Sequence, residues 1–403
     1  MPSALSGQSA PSTAGPIQRP TIATKEPTPS STPFSGVLGA QAGPPGGAAS
    51  DAAVAPAISA HDEHRPDMIR AVPEPLDISL DPDVLVTNIS FMGATLLLIL
   101  LASQIFNSTI SENKEELDRL MTAALSPLRP LWQAVQGNIG SASRESALLN
   151  AVGWPLVVLG LTVLIYGFVE PGFGLNGRSA VVAASILLCV GTTTYVTEGG
   201  EALFARRRYR QSTGVRPFPF AMIVAIVGVV LSRVVGFGPG VIYGFVGTTV
   251  YLRPSTLSRE EAGKSVFVPL LALLAVCIAA WMLVIPLRSW SSDAHAEIPA
   301  FFEGAAVSIF VGGLQGLFFS MIPMSFMDGE KIWRWNKLVW LGLASISTFL
   351  FWHVLLNGNQ SYFDALTSPV SRTAFGILTS SLLVSLAVWA IFRFRRGATY
   401  STA

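Results

Sequence analysis

Apolar residues come in runs along this chain, and the runs are long. "VLVTNISFMGATLLLILLASQIF" covers 84–106 with no charged residue. Further runs follow at about 147–169, 178–204, 216–235, 265–287, 300–323, 338–356 and 372–393. A run of roughly 20 apolar residues is long enough to cross a bilayer as a helix. The pattern therefore predicts an all-α polytopic integral membrane protein with about eight transmembrane helices. One stretch breaks the helical pattern: "GFGPGVIYGFVGTTVYL" at 236–252 is dense in glycine and holds a Pro-Gly pair. It is expected to re-enter or to cross back.

Two segments lie outside this pattern. Residues 1–83 hold 14 of the 27 prolines, with Ala, Ser, Gly and Thr filling most of the rest. Such a composition buries too little apolar surface to offset its ordering entropy, so a disordered tail is expected. "HDEH" at 61–64 falls within it and is a solvated linker on this reading, although its residue types could bind metal. Residues 107–146 are polar with an amphipathic centre, Leu117, Leu120, Met121 and Leu125 recurring at helical spacing. They read as a surface linker between the first helix and a polytopic core at 147–396.

Composition agrees with the pattern. Half of the residues are hydrophobic and 13% are charged, against about 25% charged in soluble domains. A net charge of +1 gives no broad basic field, so nucleic acid is not an expected partner. Cys189 and Cys277 each lie inside an apolar run, and no disulfide framework is expected. The basic residues cluster at "RRRYR" (206–210), "RPSTLSREEAGK" (253–264), "EKIWRWNK" (330–337) and "FRFRRG" (392–397). Cytoplasmic loops are enriched in Lys and Arg. This places the C-terminus and the 107–146 linker in the cytoplasm and the N-terminal tail outside. All four clusters share one side only if 236–252 turns back.

The chemistry-bearing residues are few. "YVTEGGEALF" ends a long apolar run with Glu198 and Glu201, three residues apart and so on one helix face. Carboxylates within a membrane usually face the protein interior and have a function. The structural alternative is an interfacial pair with Arg206, Arg207 or Arg208. Asp328, in "FFSMIPMSFMDGEKIW", sits beside Gly329 and beyond Pro323, where a turn would present it at the membrane rim. Trp333, Trp335 and Trp340, interleaved with Lys331, Arg334 and Lys337, read as an interfacial belt. "GGLQG" at 312–316 reads as a surface for close helix packing.

These stretches, in this order, resemble the core of the site-2 protease family of intramembrane zinc metalloproteases. "TEGGE" stands where HExxH would, "GFGPGVIYG" resembles the Pro-Gly loop, and "FSMIPMSFMDG" resembles NxxPxxPLDG. The likeness covers about 178–340. It is closer still to bacterial polytopic membrane proteins with a Phe-Gly-Leu-Leu-Pro motif, for which "FSMIP" is the local version, and this implies a bacterial cytoplasmic membrane. Residue by residue, the resemblance makes Thr197 and Glu201 the histidine-ligand positions, Glu198 the general-base position and Asp328 the third ligand. Pro239, Gly240, Tyr243, Ser320, Pro323 and Gly329 fall on its groove and loop positions. It implies that the helix carrying the glutamates meets the turn carrying Asp328.

The departures weigh against zinc, which prefers histidine in catalytic sites. An all-oxygen set suits Mg, Ca or Mn better. No cofactor is therefore expected, with zinc implied only if an enzyme persists. Three converging carboxylates would also need a proton, a cation or folded-in arginines. The leading expectation is a pseudoprotease-like scaffold or adaptor whose partners are the bilayer and a single-span membrane protein. An intramembrane metalloprotease with a carboxylate-rich site is the alternative, and an ion-coupled transporter the third.

Overall fold

The computed structural model describes residues 66–116, 119, 154–217, 220–237, 239–252, 257–291 and 297–400. All of them belong to the second of two units, Ala57–Ala403. The tail up to residue 65, with its HDEH cluster, and most of the 107–146 linker lie outside the described residues, as does His295.

The chain order is α1 (Asp67–Arg70), α2 (Pro82–Glu112), α3 (Trp154–Gly167), α4 (Gly177–Thr194) and α5 (Gly200–Tyr209). Then come β1 (Thr213–Pro217), α6 (Phe220–Val235), β2 (Gly247–Tyr251), α7 (Arg259–Ser291) and α8 (Glu297–Ser320). Last are α9 (Asp328–Trp335), α10 (Lys337–Leu350), α11 (Tyr362–Thr367) and α12 (Pro369–Tyr400). A π-helical turn, Tyr195–Gly199, joins α4 to α5, and another, Phe351–Leu356, extends α10. Among the described residues six helices are long and apolar enough to cross a membrane. α3 and α6 are apolar but shorter. The all-α membrane character expected from the sequence is thus present.

Local sequence sets the helix ends. Asp81 caps α2 by accepting from the Asp83 N–H, with Pro82 opening the first turn. Asn176 accepts from Ser179 N–H to start α4. Asn336 accepts from Leu338 and Val339 N–H to start α10. Arg210, left-handed at φ 54°, ends α5, and Gly236, at φ 67°, follows the last residue of α6.

The helices run between two rims. At the first rim, residues 66–81 lie across the bundle as a strap. Asp67 and Met68 N–H donate to Glu170, Trp281 Nε1 donates to the Pro73 carbonyl, and Arg288 reaches Glu74 and the Ile69 and Val72 carbonyls. Met68, Ile69 and Val72 are buried. The expected boundary of disorder at residue 83 is therefore too late: apolar side chains spaced among the prolines find a core to enter. At the second rim, Asn107 bonds the Pro323 carbonyl and the Ser325 N–H and hydroxyl. α2 also runs past its expected end at residue 106, to Glu112.

The helix expected at 216–235 starts later, at Phe220. Residues 213–217 are strand rather than membrane helix, and they pair antiparallel with β2, Thr213 opposite Tyr251 and Pro217 opposite Gly247. Between α6 and β2 the chain returns to the second rim in extended form, packed inside the bundle. Non-helical backbone at such depth needs partners. It finds them in side chains. Ser232 Oγ takes the Val241 N–H, Gln315 takes Ile242 N–H and donates to the Gly240 carbonyl, and the Tyr166 hydroxyl bonds both the N–H and the carbonyl of Tyr243. Thr194 Oγ1 takes the Val246 N–H, and Thr193 donates to the Gly244 carbonyl.

α8 is the central helix, 83% buried over its apolar window, whereas α12 is 11% buried. The glycines of "GGLQG" make this packing close. A Cβ on Gly312 would meet Cys189 Sγ at 2.5 Å, and one on Gly313 would meet Cys277 Sγ at 2.4 Å. Both cysteines are free and buried. Trp340, expected in an interfacial belt, is instead fully buried and donates to the Met321 carbonyl at 2.8 Å. Its indole N–H needs a partner inside the protein, and the carbonyl at the end of α8 supplies one.

Candidate functional site

The long helix α4–α5 carries the glutamates to the second rim. Its π-helical turn covers Tyr195–Gly199 and includes Glu198. Such turns add a residue to the helix and redirect the side chains beyond it, and they are frequent at functional sites. Gly200 permits the next step. A Cβ there would lie 3.1 Å from Pro269 Cβ, so glycine lets α5 close on α7.

Thr197, Glu198, Glu201 and Asp328 then line one small cavity with Val266, Pro269 and Leu270. Its volume is about 10 Å³, room for about one water molecule. The positions singled out in the sequence thus converge, although 126 residues separate Glu201 from Asp328. Asp328 comes from the start of α9, after the turn at 321–327. Gly329 makes that turn possible: a Cβ there would sit 2.4 Å from the Met321 carbonyl oxygen.

Each side chain is engaged. Glu198 accepts from Thr249 N–H at 2.6 Å and from the Thr249 hydroxyl at 2.8 Å. Thr197 donates to the Thr193 carbonyl at 2.8 Å. Glu201, buried, accepts from the Tyr251 hydroxyl at 3.0 Å. Lys331 Nζ lies 2.9 Å from Asp328 Oδ1 and 3.6 Å from Glu201 Oε1. One ammonium therefore stands between two of the three carboxylates. Burial alone would lower the Lys331 pKa, but Asp328 and then Glu201 outweigh it and the net direction is up. Burial, and next the Glu201 carboxylate, push the Tyr251 phenol up to about 12.

Three expectations are corrected here. The basic partner of the carboxylates is Lys331, not the arginines after Tyr195–Glu201. Arg206 donates instead to the Thr213 carbonyl at 2.6 Å, and Arg233 bonds carbonyls at the first rim. Lys331 itself is not a lipid-facing anchor. Pro239 and Gly240 do not join the carboxylates. Pro239 lines a separate cavity at the first rim, and the Gly240 carbonyl accepts from Gln315 at 2.8 Å. Their position follows from the extended return, which places eight residues between Gly240 and Thr249. Of the remaining groove residues, Tyr243 and Ser320 do lie by the site. Ser320 hydrogen-bonds the Tyr243 phenol, on which the Asp328 and Glu198 charges act. Pro323 shapes the turn and is held by Asn107 at 2.8 Å.

Sequence reading missed Lys331, Tyr251 and Thr249. Lys331 had a signal, since it follows Asp328 by three residues at the start of a helix. Tyr251 and Thr249 had none, because only the strand return brings β2 to the glutamates. His353 is distant from the site, buried at the first rim with Asn88 at 2.9 Å.

The donor set does not suit a zinc ion. Thr197 spends its hydroxyl proton on a backbone carbonyl, Glu198 is held by Thr249, and Glu201 and Asp328 face an ammonium. Among the described residues no group of three His, Cys, Asp or Glu has metal-holding geometry. What the arrangement can do is close the rim: charge and hydrogen bonds tie the glutamate helix, β2 and α9 together, and α7 packs against them through Val266, Pro269 and Leu270. Comparison with family models, with curated proteins and with solved structures finds no match.

Proposed function

We propose that this chain is a non-catalytic, multi-pass scaffold of a bacterial cytoplasmic membrane, a degenerate relative of site-2 proteases that holds the transmembrane helix of a single-span partner. The observation that carries the reading is the internal satisfaction of the carboxylates. A metalloprotease needs an ion with an open position and a carboxylate free to take a proton from water. Here Lys331 stands where a cation would, Thr249 holds Glu198, and the cavity admits about one water. A binding protein needs none of the lost chemistry.

Eight helices cross the bilayer on this reading: the six long ones with α3 and α6. The strand return is the re-entrant Pro-Gly segment. α5, α7, α9 and α12 all present a cluster-bearing end at the second rim, which supports a cytoplasmic C-terminus and an outer strap. Cysteines placed at the exposed Asp77 and Arg207 test the sidedness in intact cells. Labelling at residue 77 before permeabilisation and at residue 207 only after it is the expected result, and the reverse pattern sinks the orientation.

Metal analysis of protein purified in detergent with zinc present tests the non-catalytic reading. Substoichiometric zinc, unchanged by Glu198→Gln, is expected. One tightly held zinc per chain would move the assignment to a metalloprotease. A photoreactive residue at the exposed Tyr195 or Leu203, beside the site, tests the partner. A one-to-one adduct with a single-span protein is expected in cells, and adducts with lipid alone remove the adaptor half of the proposal.

A further inference from the structure

A second opening lies at the first rim, away from the carboxylates. It measures about 620 Å³ and is lined by Asp67, Arg70, Val169, Glu170, Arg233 and Pro239, among others. That size falls within the range of small-molecule sites. We propose that it binds the phosphodiester headgroup of an anionic phospholipid, with Arg233 as the principal cation.

Charge is the first reason. Three arginines near this opening are neutralised by carboxylates: Arg70 pairs with Asp67, Arg178 with Glu170, and Arg288 with Glu303 and Glu74. Arg233 differs. It has no carboxylate partner among the described residues. Its Nε and Nη2 donate instead to the Phe168 and Glu170 carbonyls, at 3.0 and 3.4 Å. Those contacts fix the guanidinium and leave other N–H donors for the cavity it lines. Glu170 does not oppose an anion, because its oxygens are taken by Asp67 N–H, Met68 N–H and Arg178. Counting Arg70, Arg178 and Arg233 against Asp67 and Glu170 leaves one positive charge, which a phosphodiester matches.

Depth is the second reason. α6 has 16 residues, so it is about 24 Å long, against a hydrocarbon core of about 30 Å. Arg233 stands in its last turn. A helix this short draws the headgroup layer inward at its ends, and here the drawn-in headgroup meets a guanidinium. The approach is apolar: Phe168, Val230 and Val234 are 50%, 56% and 80% exposed beside it. Acyl chains can lie along that face while the phosphate enters the cavity. A zwitterionic headgroup brings a second cation toward Arg70 and Arg233 and is disfavoured.

Delipidated full-length protein in neutral detergent, titrated with phosphatidylglycerol or phosphatidylcholine, tests this by native mass spectrometry and melting temperature. One phosphatidylglycerol per chain is expected at concentrations where phosphatidylcholine does not bind. Arg233→Gln should weaken the binding roughly fivefold. Ala71→Trp, which fills the cavity and keeps every arginine, should also weaken it, and it decides the matter if the arginine variant aggregates. Equal retention of both lipids, or unchanged binding in the folded variants, overturns the proposal. Millimolar inorganic phosphate that stabilises the protein as well as the lipid does would make this a free-anion site and overturn the lipid assignment.

Discussion

At the scale of single residues, Gly329 and Lys331 show how a short motif acquires its meaning. Gly329 has no room for a methyl group, because its α-hydrogen side faces the backbone of Met321 and Ile322. Backbone cannot yield as a side-chain tip can, so Gly329→Ala should cost about 1–3 kcal/mol and lower the melting temperature in detergent. Lys331 is half-exposed, so water moderates its pairing with Glu201 and Asp328. Lys331→Met should therefore cost only about 1–2 kcal/mol, less than the 3–5 kcal/mol of breaking a fully buried pair. Glu201→Gln keeps an acceptor for Tyr251 and should cost less than Glu201→Ala, and the double change with Lys331→Met should cost less than the sum. The pH dependence has a definite sign. Both Lys331 and Tyr251 titrate higher when folded than their free groups. Their contribution is complete below the unfolded pKa values of about 10. It is lost as pH rises through the folded values, so stability from this pair should hold flat from pH 6 to 9 and fall above about 10. Chemical denaturation across that range measures it.

Elements were legible where periodicity and length speak alone. The eight apolar runs each correspond to a described helix, with ends displaced by caps such as Asp81 and Asn176. The two short strands, 213–217 and 247–251, were not legible as such. The glycine-rich return at 239–246 was legible as a break in the helical pattern, and what holds it extended lies on the neighbouring helices: Tyr166, Thr194, Ser232 and Gln315 supply the partners that a helix would find within itself. Gln315 serves two backbone groups at once. Gln315→Leu leaves both buried and unpaired, so a loss of about 2–4 kcal/mol is expected. Ser308, on the same helix, has a buried hydroxyl with no hydrogen-bond partner among the described residues. Ser308→Ala should stay within about 0.5 kcal/mol of the parent. A similar loss in both would mean that helix packing, not backbone pairing, holds the return in place.

For the whole molecule, the carboxylate cluster was foreseeable from Glu198, Glu201 and Asp328, while the strap at 66–81 was hidden by its prolines and the spatial separation of Pro239 from the cluster by the extended return. That return also sets an order of events during synthesis. Ile242 waits for a partner 73 residues further along the chain. A helix entering the bilayer carries its own hydrogen bonds, whereas this segment does not, and exposed backbone in hydrocarbon is costly. Until α8 emerges from the ribosome, residues 241–246 must stay in contact with water or with the insertion machinery. Nascent chains arrested near residue 300 should therefore leave a cysteine at Val241 open to a polar thiol reagent, and full-length chains should protect it. Equal protection in both would mean that the earlier helices, through Tyr166, Thr193, Thr194 and Ser232, are enough to shelter the segment. The protein is then assembled in two passes, a bundle first laid down with a gap and later closed by α8, its most buried helix.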